Sequence, residues 1–321
     1  MTEKVLVTGA AGAIGFWLAE TLSNQNKEVF IIDRFIHKNR DKYFTNLAKK
    51  NNVHLHIADL CNKNDLLEIP CDFDVVYHLA AFNGTQNFYQ KPFDVLTNST
   101  LPTINLLEWL AINNQTPRFI YASSSEAYAG AVTHYDAKIP TSEDVHLVID
   151  DPKNIRWSYG GSKLHGELAA FAASSQFNIP VTIIRFHNVY GVRMGLNHII
   201  PDFIARALKG KYELYGHEDT RSFIYVQDAV DATIKVAEAK TFINDIVNIG
   251  SDEEVKIYDL AKNILSILNV KQEIKLYDSP KGSVRRRCPD ISKLKNEIGQ
   301  VSTVSLDEGL KKVIDYMKSQ G

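Results

Sequence analysis

Tyr159 and Lys163 stand four residues apart in the run Tyr159-Gly-Gly-Ser-Lys163. On a helix that spacing puts phenol and ammonium on one face. A free tyrosine titrates near ~10 and a free lysine near ~10.4. A neighbouring cation favours the phenolate, which predicts that Tyr159 acts as a general base near neutral pH. The chemistry would be removal of a hydroxyl proton while hydride leaves the same carbon. Such pairs also occur by chance on ordinary helices, so this one gains its weight from what precedes it.

What precedes it is a strand, a glycine-rich turn and a helix. Lys4 to Thr8 is a short apolar run, read as a buried parallel strand, and Ala13 to Asn24 follows with helical periodicity. Between them lies Thr8-Gly9-Ala10-Ala11-Gly12-Ala13-Ile14-Gly15. Gly9 suits the tight turn, Gly12 the approach of a pyrophosphate, and Gly15 the packing of helix on strand. The helix N-terminus offers N–H groups and a positive dipole to phosphates. The second strand, Glu28 to Asp33, ends in a carboxylate 18 residues after Gly15. Asp33 there can accept from both ribose hydroxyls of an adenosine and would repel a 2′-phosphate, so NAD is expected over NADP. Arg34 is the residue that could tolerate that phosphate. Asp59 is expected at the adenine edge, as an N-cap, or as both.

The remaining elements alternate. Val53–Ala58, Val75–Leu79, Arg118–Ala122, Val181–Arg185 and Asp245–Ile249 read as strands. Lys38–Lys50, Leu60–Ile69, Thr100–Asn113 and Ser158–Gln176 read as helices. Strand alternating with helix predicts an α/β fold, a Rossmann-type doubly wound parallel sheet. The alternation fails after Asn188, where helix Ile199–Lys209, a strand near Tyr212–Tyr215, and helices Ile257–Leu268 and Leu306–Ser319 remain. This predicts an NAD-binding domain over 1–187, with 223–250 returning to it, and a smaller C-terminal α/β substrate-binding lobe from 188–222 and 251–321.

Composition limits the partners. Of 321 residues, 36 are basic and 38 acidic, and no block of one sign dominates, so neither nucleic acid nor an anionic membrane is implied. The exception is the trio Arg285-Arg286-Arg287. Three cysteines lack metal or redox spacing, no metal site is expected, and no apolar run approaches the roughly 18 residues of a membrane span. With no signal-peptide pattern at the N-terminus, a cytoplasmic protein is expected.

Thr8-Gly-x-x-Gly-x-x-Gly15, Asp33, Asp59-Leu60 and His78-Leu79-Ala80-Ala81 resemble the extended short-chain dehydrogenase/reductases, and within them the nucleotide-sugar epimerase/dehydratase branch. The resemblance continues through Asn188-Val-Tyr-Gly191 and Arg221-Ser-Phe-Ile-Tyr-Val226 to Pro289-Asp-Ile-Ser-Lys293. It implies that Gly9, Gly12, Ala13, Ile14, Gly15, Asp33, Asp59, Leu60, Leu79, Ala80, Ala81 and Asn98 surround NAD. Lys163 would hold the nicotinamide ribose beside Tyr159. In Ser123-Ser124-Ser125-Glu126-Ala127-Tyr128 it makes Ser124 the catalytic hydroxyl, with Ser125 the alternative register. Glu126 stands where members that eliminate water or decarboxylate carry a glutamate able to take a proton beside a new ketone. Epimerases with this glutamate also exist.

On the substrate side the resemblance implies that Asn188 and Arg221 meet a diphosphate, and that Thr85 borders the sugar. Within the arginine trio, the offset to Asp290 points to Arg286. His187 reads as a packed core histidine, and little decides a role for His198. The leading expectation is a 4-epimerase of UDP- or GDP-sugars that oxidises C4 and then returns the hydride. The alternatives are a dehydratase or decarboxylase using Glu126, a net C4 dehydrogenase, and an NAD-binding regulatory protein without catalysis. The intact Ser124, Tyr159 and Lys163 set speaks against the last. The resemblance also implies a homodimer built on the helices near Thr103–Ala111 and Leu164–Ala173, although burial within one subunit explains their apolar faces equally well.

Overall fold

The computed structural model describes residues 2–34, 41–279 and 283–320. Seven parallel strands form the central sheet: β1 (Lys4–Thr8), β2 (Glu28–Ile32), β3 (Val53–His56), β4 (Val75–His78), β5 (Arg118–Ser124), β6 (Val181–Phe186) and β7 (Asp245–Ile249). Their spatial order is β7-β6-β5-β4-β1-β2-β3. Strand order therefore reverses between β1 and β4, and the crevice outside the carboxyl ends at such a reversal is where open sheets bind ligands.

Alternation along each strand builds two cores. Val5 and Val7 of β1 join one apolar cluster with Phe16 and Leu18 of the helix that follows; Leu6, between them, joins the other with Leu106 and Leu110. Every one of these side chains is fully buried. Such burial stabilises by roughly 1.5–3 kcal/mol per side chain and fixes the strand ends that carry the site.

Three long helices matter for function: α1 (Ala13–Asn24), α2 (Pro92–Ile112) and α3 (Trp157–Phe177). Helix α2 begins eight residues before the expected Thr100. Its N1 proline is Pro92, and Pro102 lies inside the helix, which packs along α3. Tertiary packing here overrides the local preference of proline for a first turn. The helix expected over Leu60–Ile69 is only a 3₁₀ turn, Lys63–Glu68. Asp65 accepts from Asp59 N at 2.8 Å and Asn62 from Asn64 N at 3.2 Å, bonds that compete with a helical ladder. Of the expected Lys38–Lys50, the structure has helix Lys42–Leu47, capped by Asp41; residues 38–40 lie outside the described residues.

The chain returns to the main sheet through α4 (Val226–Glu238), which packs on α1, and through β7, which pairs with β6. The stretches on either side of that return pair with each other. Thr220–Ser222 lies between Glu254–Lys256 and Arg286–Arg287, and Glu213–Tyr215 pairs with Lys275–Tyr277. No helix among the described residues is long and apolar enough to cross a membrane.

Candidate active site

A continuous cleft of about 710 Å³ runs from Gly9 and Asp33 at one end, past Tyr159, to Arg221 and Arg287 at the other. The first end is built from backbone. Gly9 has φ +73°, and a Cβ on Gly15 would lie 2.4 Å from Gly9 O, so α1 can start this close to β1 only with glycine there. Gly12 caps α1 without a side chain, and Gly12, Ala13 and Ile14 line the cleft, leaving the helix start open to an anion. Leu60, Leu79, Ala80 and Ala81 line it from β3 and β4. A buried hydroxyl–imidazole chain sits beneath: Ala80 N donates to Thr8 Oγ1, which meets His78 Nδ1 at 2.8 Å, while His78 Nε2 meets Thr103 Oγ1 at 3.0 Å. Burial, then the charge of Lys163, brings His78 down to about 3, so it stays neutral.

Asp33 Oδ2 accepts from Ala11 N at 3.0 Å, which sets the carboxylate beside the glycine turn. Arg34 turns toward Asp59 Oδ2, at 3.2 Å, and Asn98 Oδ1, at 2.6 Å. Asp59 Oδ1 meanwhile accepts from Cys61 N at 2.9 Å, a local turn bond, while the cap of the 3₁₀ turn that follows is Asn62 rather than Asp59. Burial would raise the Asp59 carboxyl, but Cys61 N–H and Arg34 outweigh it and hold the group below its ordinary value. Asn98 lines the cleft, and its neighbour Ser99 holds the backbone after β4, accepting from Phe82 N at 3.2 Å. A dinucleotide fits these groups: an open helix start for its pyrophosphate, a fixed carboxylate for its ribose, and small side chains along its length.

At mid-cleft, Tyr159 and Lys163 come from the first two turns of α3. Both are buried. The Tyr159 ring stacks on Phe88 with centroids 5.1 Å apart, and Lys163 Nζ lies 5.6 Å from the Tyr159 ring while donating to Ala122 O at 2.7 Å. Gly160 allows this placement, since a Cβ there would lie 2.6 Å from Glu126 O. The expected lowering of the phenol is not what the surroundings produce. Burial first, and then the charge of Glu126, push Tyr159 above its ordinary value, with the Ser124 hydroxyl pulling the other way. Burial brings Lys163 down to about 8 despite Glu167. Ser124, rather than Ser125, is the serine that reaches Tyr159; it also accepts from Glu126 N at 3.2 Å. Behind them Glu167 takes Ser123 Oγ at 2.5 Å and both prongs of Arg185, at 3.0 and 2.8 Å, anchoring the serine run to α3 and β6.

The far end is built from charge. Glu126, 13% exposed, sits between Arg287 Nη1 at 2.5 Å and Arg156 Nη2 at 3.3 Å. Burial would raise its carboxyl; the two guanidiniums, Arg287 foremost, outweigh burial and hold it below the usual range. Arg286 is displaced from its expected role. It is the more exposed arginine and forks Glu254 at 2.9 and 2.7 Å, outside the cleft. Residues 286 and 287 form a strand, so they point to opposite faces, and Arg287, paired in register with Arg221, is the one in the cleft. Asn188, with φ +35°, lines the cleft and donates to Ser222 O at 2.9 Å. Thr85 begins a short helix, but its side chain lies outside those described. His187 is a core residue, fully buried, near Tyr128 Oη and Asn248 Oδ1 and brought down to about 3 by burial. His198 lines the cleft, its pKa lowered by burial. No cluster able to hold a metal occurs among the described residues.

The model of the NAD dependent epimerase/dehydratase family matches residues 5–250. The chain belongs to that family. It is an enzyme of the NAD-dependent epimerase/dehydratases, with NAD as its cofactor. It is 33% identical to the UDP-N-acetyl-alpha-D-glucosaminuronate decarboxylase of Bacillus cytotoxicus, over 99% of this chain and 98% of that one. It is 30% identical to UDP-glucuronic acid decarboxylase 1 of Danio rerio, over 99% of this chain and 73% of that one. Among solved structures, a mutant UDP-glucuronic acid 4-epimerase from Bacillus cereus, in complex with UDP-4-deoxy-4-fluoro-glucuronic acid and NAD, superposes with a TM-score of 0.88. That structure is 30% identical and covers 99% of this chain and 100% of its own. Sequence reasoning within the family missed Arg156 and Arg287. Arg156 stands one helical turn before Tyr159, a spacing that places it on the same side of the helix but does not reveal its partner Glu126; Arg287 is signalled by the period of a strand.

Proposed function

We propose that this chain is a UDP-uronic acid decarboxylase, which oxidises the sugar at C4 so that C6 leaves as carbon dioxide. The observation that carries the reading is Glu126, held between Arg156 and Arg287 beside Tyr159. A dehydratase needs a carboxylate basic enough to pull the C5 proton, and one clamped by two guanidiniums below its ordinary pKa is a weak base. Decarboxylation needs no such base. Once C4 is a ketone, the C5–C6 bond breaks, its electron pair moves onto the C4 oxygen, and C5 then takes a proton from solvent. Tyr159 takes the O4 proton at the start and returns it at the end, with Ser124 hydrogen-bonding the same oxygen. NAD, when bound, would take the C4 hydride and give it back to C4 once C5 is protonated, and its oxidised form would bring a positive charge that favours the Tyr159 phenolate against the opposing charge of Glu126. Arg287 and Arg156 face the carboxylated end of the sugar, and Arg221 with Asn188 the diphosphate. Similarity to two decarboxylases of UDP-sugar acids along nearly the whole chain supports this over the simpler 4-epimerisation.

The second reading is a 4-epimerase of UDP-glucuronic acid, favoured by the likeness to the Bacillus cereus structure. Incubation with UDP-glucuronic acid and with UDP-N-acetylglucosaminuronic acid, followed by mass spectrometry, separates the two. Loss of carbon dioxide is the expected outcome; a product of unchanged mass from either substrate, with no carbon lost, selects the epimerase. We propose further that the chain dimerises through α2 and α3, whose outer faces expose Phe93, Leu101 and Leu168; light scattering at the monomer mass would refute this.

A further inference from the structure

Arg193 joins segments of the molecule that are far apart in the chain. It lies in the loop 191–198, where Met194, Asn197 and His198 line the cleft. Its backbone is left-handed, φ +68°, a conformation residues with a Cβ seldom adopt without support. The support is visible. Its side chain is 4% exposed, and Nε lies 2.5 Å from Asp41 Oδ2. The guanidinium sits 4.1 Å from the centre of the Phe16 ring. Phe16 belongs to the first turn of α1, immediately past the glycine cradle. The adjacent Trp17 Nε1 donates to Val192 O at 3.0 Å, a second tie between the same two segments. Asp41 in turn accepts from Phe44 N at 2.8 Å, so one carboxylate both caps the helix that follows β2 and holds Arg193.

We propose that Arg193 is a positioning residue for cofactor retention: it pins the loop 191–198, part of which lines the cleft, to the first turn of α1 and to Asp41, so that NAD leaves only when the Arg193–Asp41 pair parts. The physical basis is that the pair is largely withdrawn from water at the arginine, where separating it leaves a cation without compensation. An enzyme that hands its hydride back gains from keeping the cofactor between turnovers, and the proposal rests on that use of NAD rather than on which sugar or product is involved.

The test is the rate at which bound NAD leaves the purified holoenzyme when chased with labelled NAD. Asp41→Asn keeps an oxygen for Phe44 N but removes the charge; Arg193→Met keeps bulk over Phe16. Each is expected to speed release about tenfold, and the double variant no more than either single change, because both break one interaction. Arg193→Lys, which keeps a cation, is expected to recover part of the retention. A merely structural role would lower the melting temperature and leave the release rate where it was. Release within twofold of the parent in Asp41→Asn overturns the proposal, as does strict additivity in the double variant. Should Arg193→Met fail to fold, Asp41→Asn alone decides the matter.

Discussion

The two ends of the cleft are made of different materials. Around Gly9, Gly12, Ala80 and Ala81 the walls are backbone and small side chains, with the Asp33 carboxylate giving direction and the Arg34–Asp59 pair beside it. Around Glu126, Arg156, Arg221 and Arg287 the walls are long charged side chains that hold one another. The first end recognises its ligand by shape and by peptide dipoles, which cost little reorganisation. The second recognises by balancing charges, and each charge depends on its neighbours. Each backbone piece is a short contiguous run, the glycine turn or residues 79–81. Charge balance here comes from four separate stretches of chain.

That contrast can be broken first at the point where the ends meet. Tyr159→Phe should lower turnover with a UDP-sugar acid by about 10²–10⁴-fold while the purified protein still carries its NAD, since only the proton transfer is lost. Activity near the parent's would remove Tyr159 from the mechanism. At the charged end, Arg287→Met should cut turnover by about 10²-fold, because Glu126 loses its nearer partner. Arg286→Met, on the opposite face of the same strand, should change kcat/KM by no more than about twofold, as an exposed pair contributes little. Equal losses in both would mean that strand alternation does not sort the two arginines.

A smaller effect lies in pH. Lys163 is brought down to about 8, so its ammonium is intact below that and lost above it. Turnover should fall as pH rises through about 8, and Lys163→Arg should move that fall upward even if its peak rate is lower. A pH profile that Lys163→Arg leaves unmoved would assign the limb to another group. Smaller again is the acid stability of the charged end. The folded-state value of Glu126 is depressed, so its contribution is present above the ordinary carboxylate value and lost as pH falls through the folded one. Melting curves of Glu126→Gln should therefore be flatter with pH in the acid range than those of the parent. Last, Asp33→Asn should weaken NAD by about tenfold and leave substrate KM at saturating NAD unchanged, which fluorescence titration can follow.

Legibility follows the same division. The glycine turn is contiguous, Tyr159 and Lys163 stand one helical turn apart, and Asp33 ends the strand that follows the first helix, so strand–helix alternation makes the fold and the choice of NAD readable in advance. Arg287 could not be placed by counting back from Asp290, because an offset carries no information on which face of a strand a residue occupies. Arg156 was hidden by the motif beside it: its partner Glu126 is thirty residues earlier, at the end of another strand. The behaviour of Tyr159 was misjudged because a nearby cation is visible in sequence, whereas the depth of burial and the charge of Glu126 are not. Pro102 misled the reading of α2 for a related reason, since packing against α3 is not local.

The alternation of Arg286 and Arg287 also sets what kinds of mutation this segment can survive. Exchanging one residue for another at position 286 alters an outward-facing ion pair and leaves the cleft as it was. Adding or removing a single residue just before it would turn the short strand over, carrying Arg287 outward and a neighbour inward. The segment should thus drift freely in the identity of its exposed residue while its length stays frozen, a constraint on spacing rather than on chemistry.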